Sequence, residues 1–360
     1  MAQLTMDETR AAAFLTTVVR DAGGVMAALL SALGDRLGLF KNLAESGPAT
    51  SKELAARSGL NERYVREWLR GLAAAQYLDF DARTASYCLP PEHAAALAEE
   101  AGPLFLASAF RMLPPLVENL DRVAEAFVQG GGVPQASYGR EWWDNMQRFT
   151  AGWYEHLLLE EWMPALPDVQ AKLVKGATAA DVGCGAGRAS IKLAQAFPAS
   201  RFVGFDMYAG QVELARAAAS RAGVGNRVRF EVLDVRHGLP ERYDLITTFD
   251  AVHESVDPPG AVGAIHDALA TDGTFLMAEM SCSDDPDDNI GPLAAFLYGL
   301  SLLYCMTTSL ADGGAGLGTC GLPEAEVRRL CKEAGFSTVR RVPSTTMSIF
   351  SLESQLYEIK

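Results

Sequence analysis

Asp181-Val-Gly-Cys-Gly-Ala-Gly-Arg-Ala189 decides the fold of this chain. It follows a short apolar run, Ala179-Ala180, and opens an alanine-rich stretch of helical character. A strand, a glycine turn and a helix N-terminus are expected, an arrangement in which backbone comes close to a small ligand. A second acid, Asp206, ends the next apolar run, Arg201-Phe-Val-Gly-Phe-Asp206. In a doubly wound sheet, a glycine loop and a strand-ending carboxylate grip a nucleoside, the carboxylate accepting from the ribose hydroxyls.

Which nucleoside ligand fits depends on spacing. The dinucleotide pattern G-x-G-x-x-G sets its third glycine one residue further on than Gly183, Gly185 and Gly187 do. No G-x-x-x-x-G-K-[ST] is present, so a nucleotide phosphate would meet no lysine. An acidic loop suits a phosphate-free cation better, which favours S-adenosylmethionine (SAM) over NAD or ATP. Downstream, helix Tyr208–Ala222 leads to the alternating run Val228–Asp234. Tyr243–Asp250, a Pro-bounded helix (Pro259–Ala270) and Gly273–Met280 follow. These strands finish at Asp206, Asp234, Asp250 and Glu279. Ligands bind beyond the carboxyl ends of strands in open α/β sheets, so one rim would carry all four acids. A single acid there reads equally well as a turn cap; four on one rim do not.

This arrangement resembles the class I SAM-dependent methyltransferases over roughly residues 170–360. The resemblance implies a seven-stranded, mostly parallel Rossmann-like sheet with an antiparallel last strand, which Ile349–Ile359 can supply after Thr338–Pro343. It also implies that Asp181, Gly183, Gly185 and Gly187 hold the methionine part of SAM. Asp206, followed by Met207, would bind the ribose. Asp234 and Val235 would flank the adenine, and Phe249-Asp250 would lie near the methionine end.

The first half has its own pattern. Thr50-Ser-Lys-Glu53 is a capping box, and Asn61 caps a second helix that puts Val65, Trp68, Leu69 and Leu72 on one face. Tyr77–Phe80 and Ala85–Leu89 read as a hairpin around Asp81-Ala-Arg-Thr84. Helix, turn, helix and hairpin make a winged helix over about 36–90, whose default role is DNA binding through Arg63, Arg66 and Arg70. Charge opposes that role: residues 1–170 hold 14 basic against 22 acidic residues, and the whole chain has net charge −14. A winged helix before a SAM-binding domain instead resembles the small-molecule O-methyltransferases, in which this module dimerises. The resemblance implies a helical and winged-helix dimerisation domain at 1–165, a SAM-binding domain at 166–360 and a homodimer, with no nucleic-acid partner. Gly23–Leu33, rich in Ala and Leu, suits an interface or an internal core helix.

On the acceptor side, Phe249-Asp-Ala-Val-His-Glu-Ser-Val-Asp-Pro258 places His253 just past a strand on the same rim. A neutral imidazole there is a candidate general base; a helix-start residue satisfying a carbonyl is the structural alternative. The O-methyltransferase resemblance pairs this His with a neighbouring acid, here Glu254, and orients it with two glutamates. Glu279 matches the first; the second should fall near Cys320-Gly321 and is missing. Trp153, Tyr154 and His156, with Phe296 and Tyr304, are candidate lining of an acceptor pocket or else core. The glycine-rich run Asp312–Thr319 reads as a flap or a surface loop.

Other classes are narrowed by composition. Six cysteines form no C-x-x-C, which points away from zinc ribbons and towards reduced thiols in a cytoplasmic protein. Ser283–Asn289 is acidic but lacks the EF-hand spacing, so no metal is expected. The apolar stretch around Leu293–Met306 is broken by Gly299 and Ser301 and reads as too short to span a membrane. The expected activity is therefore methyl transfer from SAM to a small-molecule acceptor, with S-adenosylhomocysteine as product. A SAM-fold enzyme of cyclising or pericyclic chemistry and a SAM-responsive winged-helix regulator are the alternatives.

Overall fold

The apolar runs that end in acids become neighbouring strands of one sheet. The computed structural model describes residues 6–343 and 354–360. The strands are β1 (Asp79–Asp81), β2 (Ser86–Cys88), β3 (Thr178–Val182), β4 (Arg201–Asp206), β5 (Val228–Val232), β6 (Tyr243–Phe249), β7 (Leu269–Met280), β8 (Val339–Val342) and β9 (Ser354–Ile359). Strands β3–β9 form a seven-stranded sheet in the order β5-β4-β3-β6-β7-β9-β8. Pairings among β3–β7 are parallel, and β9 runs antiparallel between β7 and β8. The order reverses beside β3, which is where ligands sit in such sheets. The part of the expected last strand that falls at 349–353 lies outside the described residues.

Central strands are covered on both faces and so read as continuous apolar runs. Val203, Phe205, Ile246, Phe275, Met277 and Tyr357 are all buried in one core. The helices between strands bury narrow stripes, as Val212, Ala215 and Ala219 do for Ala209–Arg221.

The chain divides into two compact units, 1–115 with 140–149 and 116–139 with 150–360. In the first, the Thr50–Glu53 capping box and the Asn61 cap form as expected. Helix Glu62–Ala74 buries Val65, Trp68, Leu69 and Leu72, and β1 pairs with β2 to make the wing. Helix Glu8–Arg36 lies against it, with Trp68 Nε1 donating to Leu30 O at 2.8 Å. Arg148 forks onto Asp35 at 2.8 and 2.9 Å and onto Glu100 at 2.7 and 2.8 Å, locking the end of that long helix.

One expectation is corrected. Pro292–Ala311 is a continuous helical stretch of 20 residues, long and apolar enough to cross a membrane by length and composition, as is Glu8–Arg36. Gly299 and Ser301 do not break it, because the backbone widens to a π-helix over Ser301–Cys305 and continues. Its buried Tyr304, Cys305, Thr307 and Thr308 pack inside the second unit, which is the behaviour of a core helix.

Candidate active site

The glycine loop leaves β3 through three left-handed residues, Gly183, Gly185 and Gly187. At Gly187 (φ +77°) an added Cβ would lie 2.3 Å from Phe230 Cζ, so both conformation and packing exclude a side chain. An added Cβ at Gly185 would meet nothing within 4 Å, so this is the open wall of the loop. Gly187 caps helix Arg188–Ala196, putting the loop at a helix N-terminus.

Two carboxylates brace the loop from beneath. Asp181 is buried and accepts from Ser190 Oγ at 2.9 Å and from Thr247 Oγ1 at 2.8 Å, which ties β3 to the following helix and to β6. Burial raises its pKa to about 6, against the lowering effect of the Thr247 and Ser190 hydrogen bonds. Asp206 accepts from Gly185 N at 3.0 Å and Tyr208 N at 2.9 Å, and burial raises its pKa too. Each Asp206 oxygen thus holds one backbone donor and keeps capacity for a second, as two ribose hydroxyls require. Met207 beside it is exposed. Asp234 is not bare: Arg236 grips it through Nε at 3.0 Å and Nη2 at 2.6 Å, and this pairing holds its pKa low. Val235 packs against the sheet core.

Past β6, Asp250 sits at φ +55°, a conformation that costs a non-glycine residue about 1–3 kcal/mol. It turns the chain so that Val252–Glu254 forms a single 3₁₀ turn with His253 inside. His253 is 1% exposed; its Nδ1 donates to Glu279 Oε2 at 2.7 Å, while Glu279 Oε1 accepts from Val252 N at 2.8 Å. Glu279 therefore fixes both the backbone and the ring. On the opposite edge of the imidazole, Nε2 faces Glu254 Oε1 at 3.8 Å, and Cys305 lies close to both side chains. Asp250 Oδ1 is buried without a hydrogen bond, 3.5 Å from His253 Nδ1. Burial disfavours the imidazolium, but Asp250 and Glu279 outweigh it and raise the His253 pKa well above its ordinary value. Burial likewise raises Asp250 to about 7 and raises Glu254. Three carboxylates around one imidazole leave an excess of negative charge, which favours a cationic ligand. An added Cβ on Gly183 would lie 2.6 Å from Ala251 Cβ, so the glycine loop and the histidine turn are in contact.

Two π-helices frame this rim, and such segments recur at functional sites. Trp153–Trp162 brings Trp162 to stack on Phe249 (centroids 5.4 Å, 20°), and Tyr154 to meet the same ring edge-on at 5.7 Å. Trp153 is buried and His156 half-buried on the same segment. The other, Ser301–Cys305, delivers Cys305 to His253. Tyr304 is buried with its hydroxyl accepting from Gln135 Nε2 at 2.6 Å, whereas Phe296 is 38% exposed. In the glycine-rich run, Ala315 N donates to Val256 O at 2.9 Å and Gly318 N to His253 O at 3.3 Å.

Sequence reasoning missed Cys305, Ser190, Thr247, Trp162 and Arg236. Arg236 was visible two residues after Asp234, as an ion-pair spacing. Cys305 lies 52 residues from His253, and no spacing rule connects them.

Known proteins carry the same architecture. A family model for the Rv2258c-like winged HTH domain matches residues 25–99, and a methyltransferase domain model matches residues 173–298. An uncharacterized protein of Synechococcus sp. is 32% identical over 106 residues, 28% of this chain, and the chain spans only 25% of that protein's length. Human N-acetylserotonin methyltransferase in complex with SAM superposes with TM-score 0.67 at 18% identity, covering 100% of this chain and 99% of that one. The mitomycin 7-O-methyltransferase MmcR gives 0.65 at 19% identity over 98% and 99%. PigF with SAH gives 0.66 at 21% identity over 96% and 99%. Identities this low establish a shared fold, and the two domain models add the same order of modules. The chain thus carries an Rv2258c-like winged helix–turn–helix domain followed by a methyltransferase domain, in the fold that these methyltransferase structures share.

Proposed function

We propose that this protein transfers the methyl group of SAM to a hydroxyl of a small-molecule acceptor, with His253 as general base. SAM would lie along the glycine loop, its ribose on Asp206 and its adenine near Asp234, with its sulfonium towards the acidic rim. The acceptor oxygen forms the new C–O bond as the S–CH3 bond breaks and its electron pair returns to sulfur. The hydroxyl proton passes to His253 Nε2, and S-adenosylhomocysteine leaves. The observation that carries this reading is the His253–Glu279 hydrogen bond, formed on a turn that touches the glycine loop. Glu279 fixes the tautomer by accepting from Nδ1, which leaves Nε2 to face the acceptor side with Glu254. Because neighbouring carboxylates favour the imidazolium, turnover should rise as pH rises and the ring loses its proton.

His253→Ala is expected to lower turnover by about 100-fold or more while SAM affinity stays nearly unchanged. Unaltered turnover would remove the base and redirect the reading to an acceptor that needs no deprotonation, an amine, a thioether or an activated carbon.

A cytoplasmic homodimer belongs to the same proposal. Helix Glu8–Arg36 exposes Phe14, Leu15, Val18, Val19, Val25 and Met26, an apolar face that a second copy would cover. Its opposite side packs on the winged helix. Nucleic acid is disfavoured, because Arg63 and Arg66 are paired with Glu67 and Glu62 on the recognition helix. Sedimentation should give a dimer for the parent chain and a monomer for Leu15→Glu/Val19→Glu; a monomeric parent chain ends the dimer reading.

A further inference from the structure

We propose that Arg188 receives the carboxylate of the methionine part of SAM, an assignment that rests on the SAM-binding reading above. SAM carries positive charge on its sulfonium and its α-ammonium, and negative charge only on that carboxylate. The rim supplies acids for the positive groups: Asp181 is buried beneath the glycine loop, and Asp250 turns in just past β6. The same acids repel the carboxylate, so the methionine end needs a cation on its wall. Arg236 is not available for this, because it is spent on Asp234.

Arg188 is placed and left free to be that cation. It is the first residue of helix Arg188–Ala196, directly after the capping Gly187, so its side chain departs where the glycine loop ends. Among the described residues its one ion-pair neighbour is Glu155 Oε1 at 3.7 Å, too far for a hydrogen bond. Glu155 is already taken by Lys192, whose Nζ donates to Glu155 Oε2 and, at 3.2 Å, to Glu155 O. Lys192 thus neutralises Glu155 and leaves the Arg188 fork open to a planar anion. Tyr154, next to Glu155 on the widened helix, ties this fork to the ligand slot. Its ring meets Phe249 edge-on at 5.7 Å. Burial, then Asp181 and Asp250, raise the pKa of its hydroxyl, and Arg188 acts against them. The guanidinium therefore acts on the same hydroxyl as the two acids of the methionine end. With the ammonium on the acids and the carboxylate on Arg188, the sulfonium is turned towards the acidic rim, as methyl transfer there requires.

Decarboxylated SAM, which keeps the sulfonium and the amine and lacks only the carboxylate, tests the assignment by titration calorimetry on the full chain. The parent chain should bind SAM about 10–100-fold more tightly than the decarboxylated form. In Arg188→Met this preference should shrink to about threefold or less, through loss of SAM affinity alone. Decarboxylated SAM should bind that variant as tightly as it binds the parent chain, which also reports an intact fold. Arg188→Lys should keep an intermediate preference, because an ammonium supplies the charge without the planar fork. A parent chain that binds both forms equally, or Arg188→Met that retains the parent's preference, overturns the assignment and leaves SAM binding standing. A parent chain that binds neither form strikes the SAM reading itself, and the assignment falls with it.

Discussion

The two ends of the rim handle buried charge in opposite ways. On the glycine-loop side, Asp181 and Asp206 are each held by two neutral donors, Ser190 and Thr247 for one, Gly185 N and Tyr208 N for the other. On the histidine side, Asp250, Glu254 and Glu279 crowd one imidazole, and an Asp250 oxygen is left without a hydrogen bond. Satisfied carboxylates rigidify a cradle before the ligand arrives. A crowded cluster stores electrostatic potential that a cation, a proton or an acceptor can discharge. On the proposed function, the first end holds the ligand and the second reacts.

The sharpest way to break this contrast is to remove the one carboxylate that organises the reactive end. Glu279→Ala leaves Val252 N–H and His253 Nδ1 without an acceptor in a closed site. It should cost about 3 kcal/mol of stability in urea denaturation and about 100-fold or more in turnover. SAM affinity should change only a few-fold. A loss below about 1 kcal/mol would mean that the cluster is not held together by this residue.

Proton linkage sharpens the comparison at the other end. Asp181 is raised from 3.8 to about 6 by burial, so the folded chain binds its proton more tightly than the unfolded chain does. Its contribution is therefore fully present below the unfolded pKa and is lost as pH rises through about 6, on the order of 3 kcal/mol in all. Asp250, raised to about 7, acts in the same direction over a slightly higher window. Urea midpoints across this range should fall with rising pH in the parent chain, and less steeply in Asp181→Asn. Equal slopes for the two proteins would show that Asp181 titrates elsewhere.

Much of the holding end was legible in the sequence because its parts are local. Glycines forced into left-handed turns, an acid at a strand end and apolar runs of strand length all lie within 26 residues of one another, from Asp181 to Asp206. The winged helix was legible for the same reason: capping signals and a one-faced apolar stripe are written over single turns. The reacting end was only half legible. Glu279 lies at the end of β7 and His253 just past the end of β6, and the parallel β6–β7 pairing brings those two strand ends side by side. Cys305 arrives from a helix widened by π-turns, and its approach depends on how that helix is threaded and not on any spacing. The same widening carried the Pro292–Ala311 helix through Gly299 and Ser301, where the sequence reads as a break. Asp234 teaches a smaller lesson: a strand-end acid is not a free ligand when an arginine two residues on can fold back onto it.

The central claim is that the glycine loop and Asp206 hold SAM whatever happens at His253. Titration calorimetry with SAM and S-adenosylhomocysteine on the parent chain, Asp206→Ala and His253→Ala tests this most directly. One equivalent of each ligand should bind the parent chain and His253→Ala alike. Asp206→Ala should bind about 10–100-fold more weakly through loss of hydrogen bonds to a charged group. Well-folded parent protein that shows no binding heat with either ligand at any temperature tried, or Asp206→Ala that binds like the parent, would contradict it.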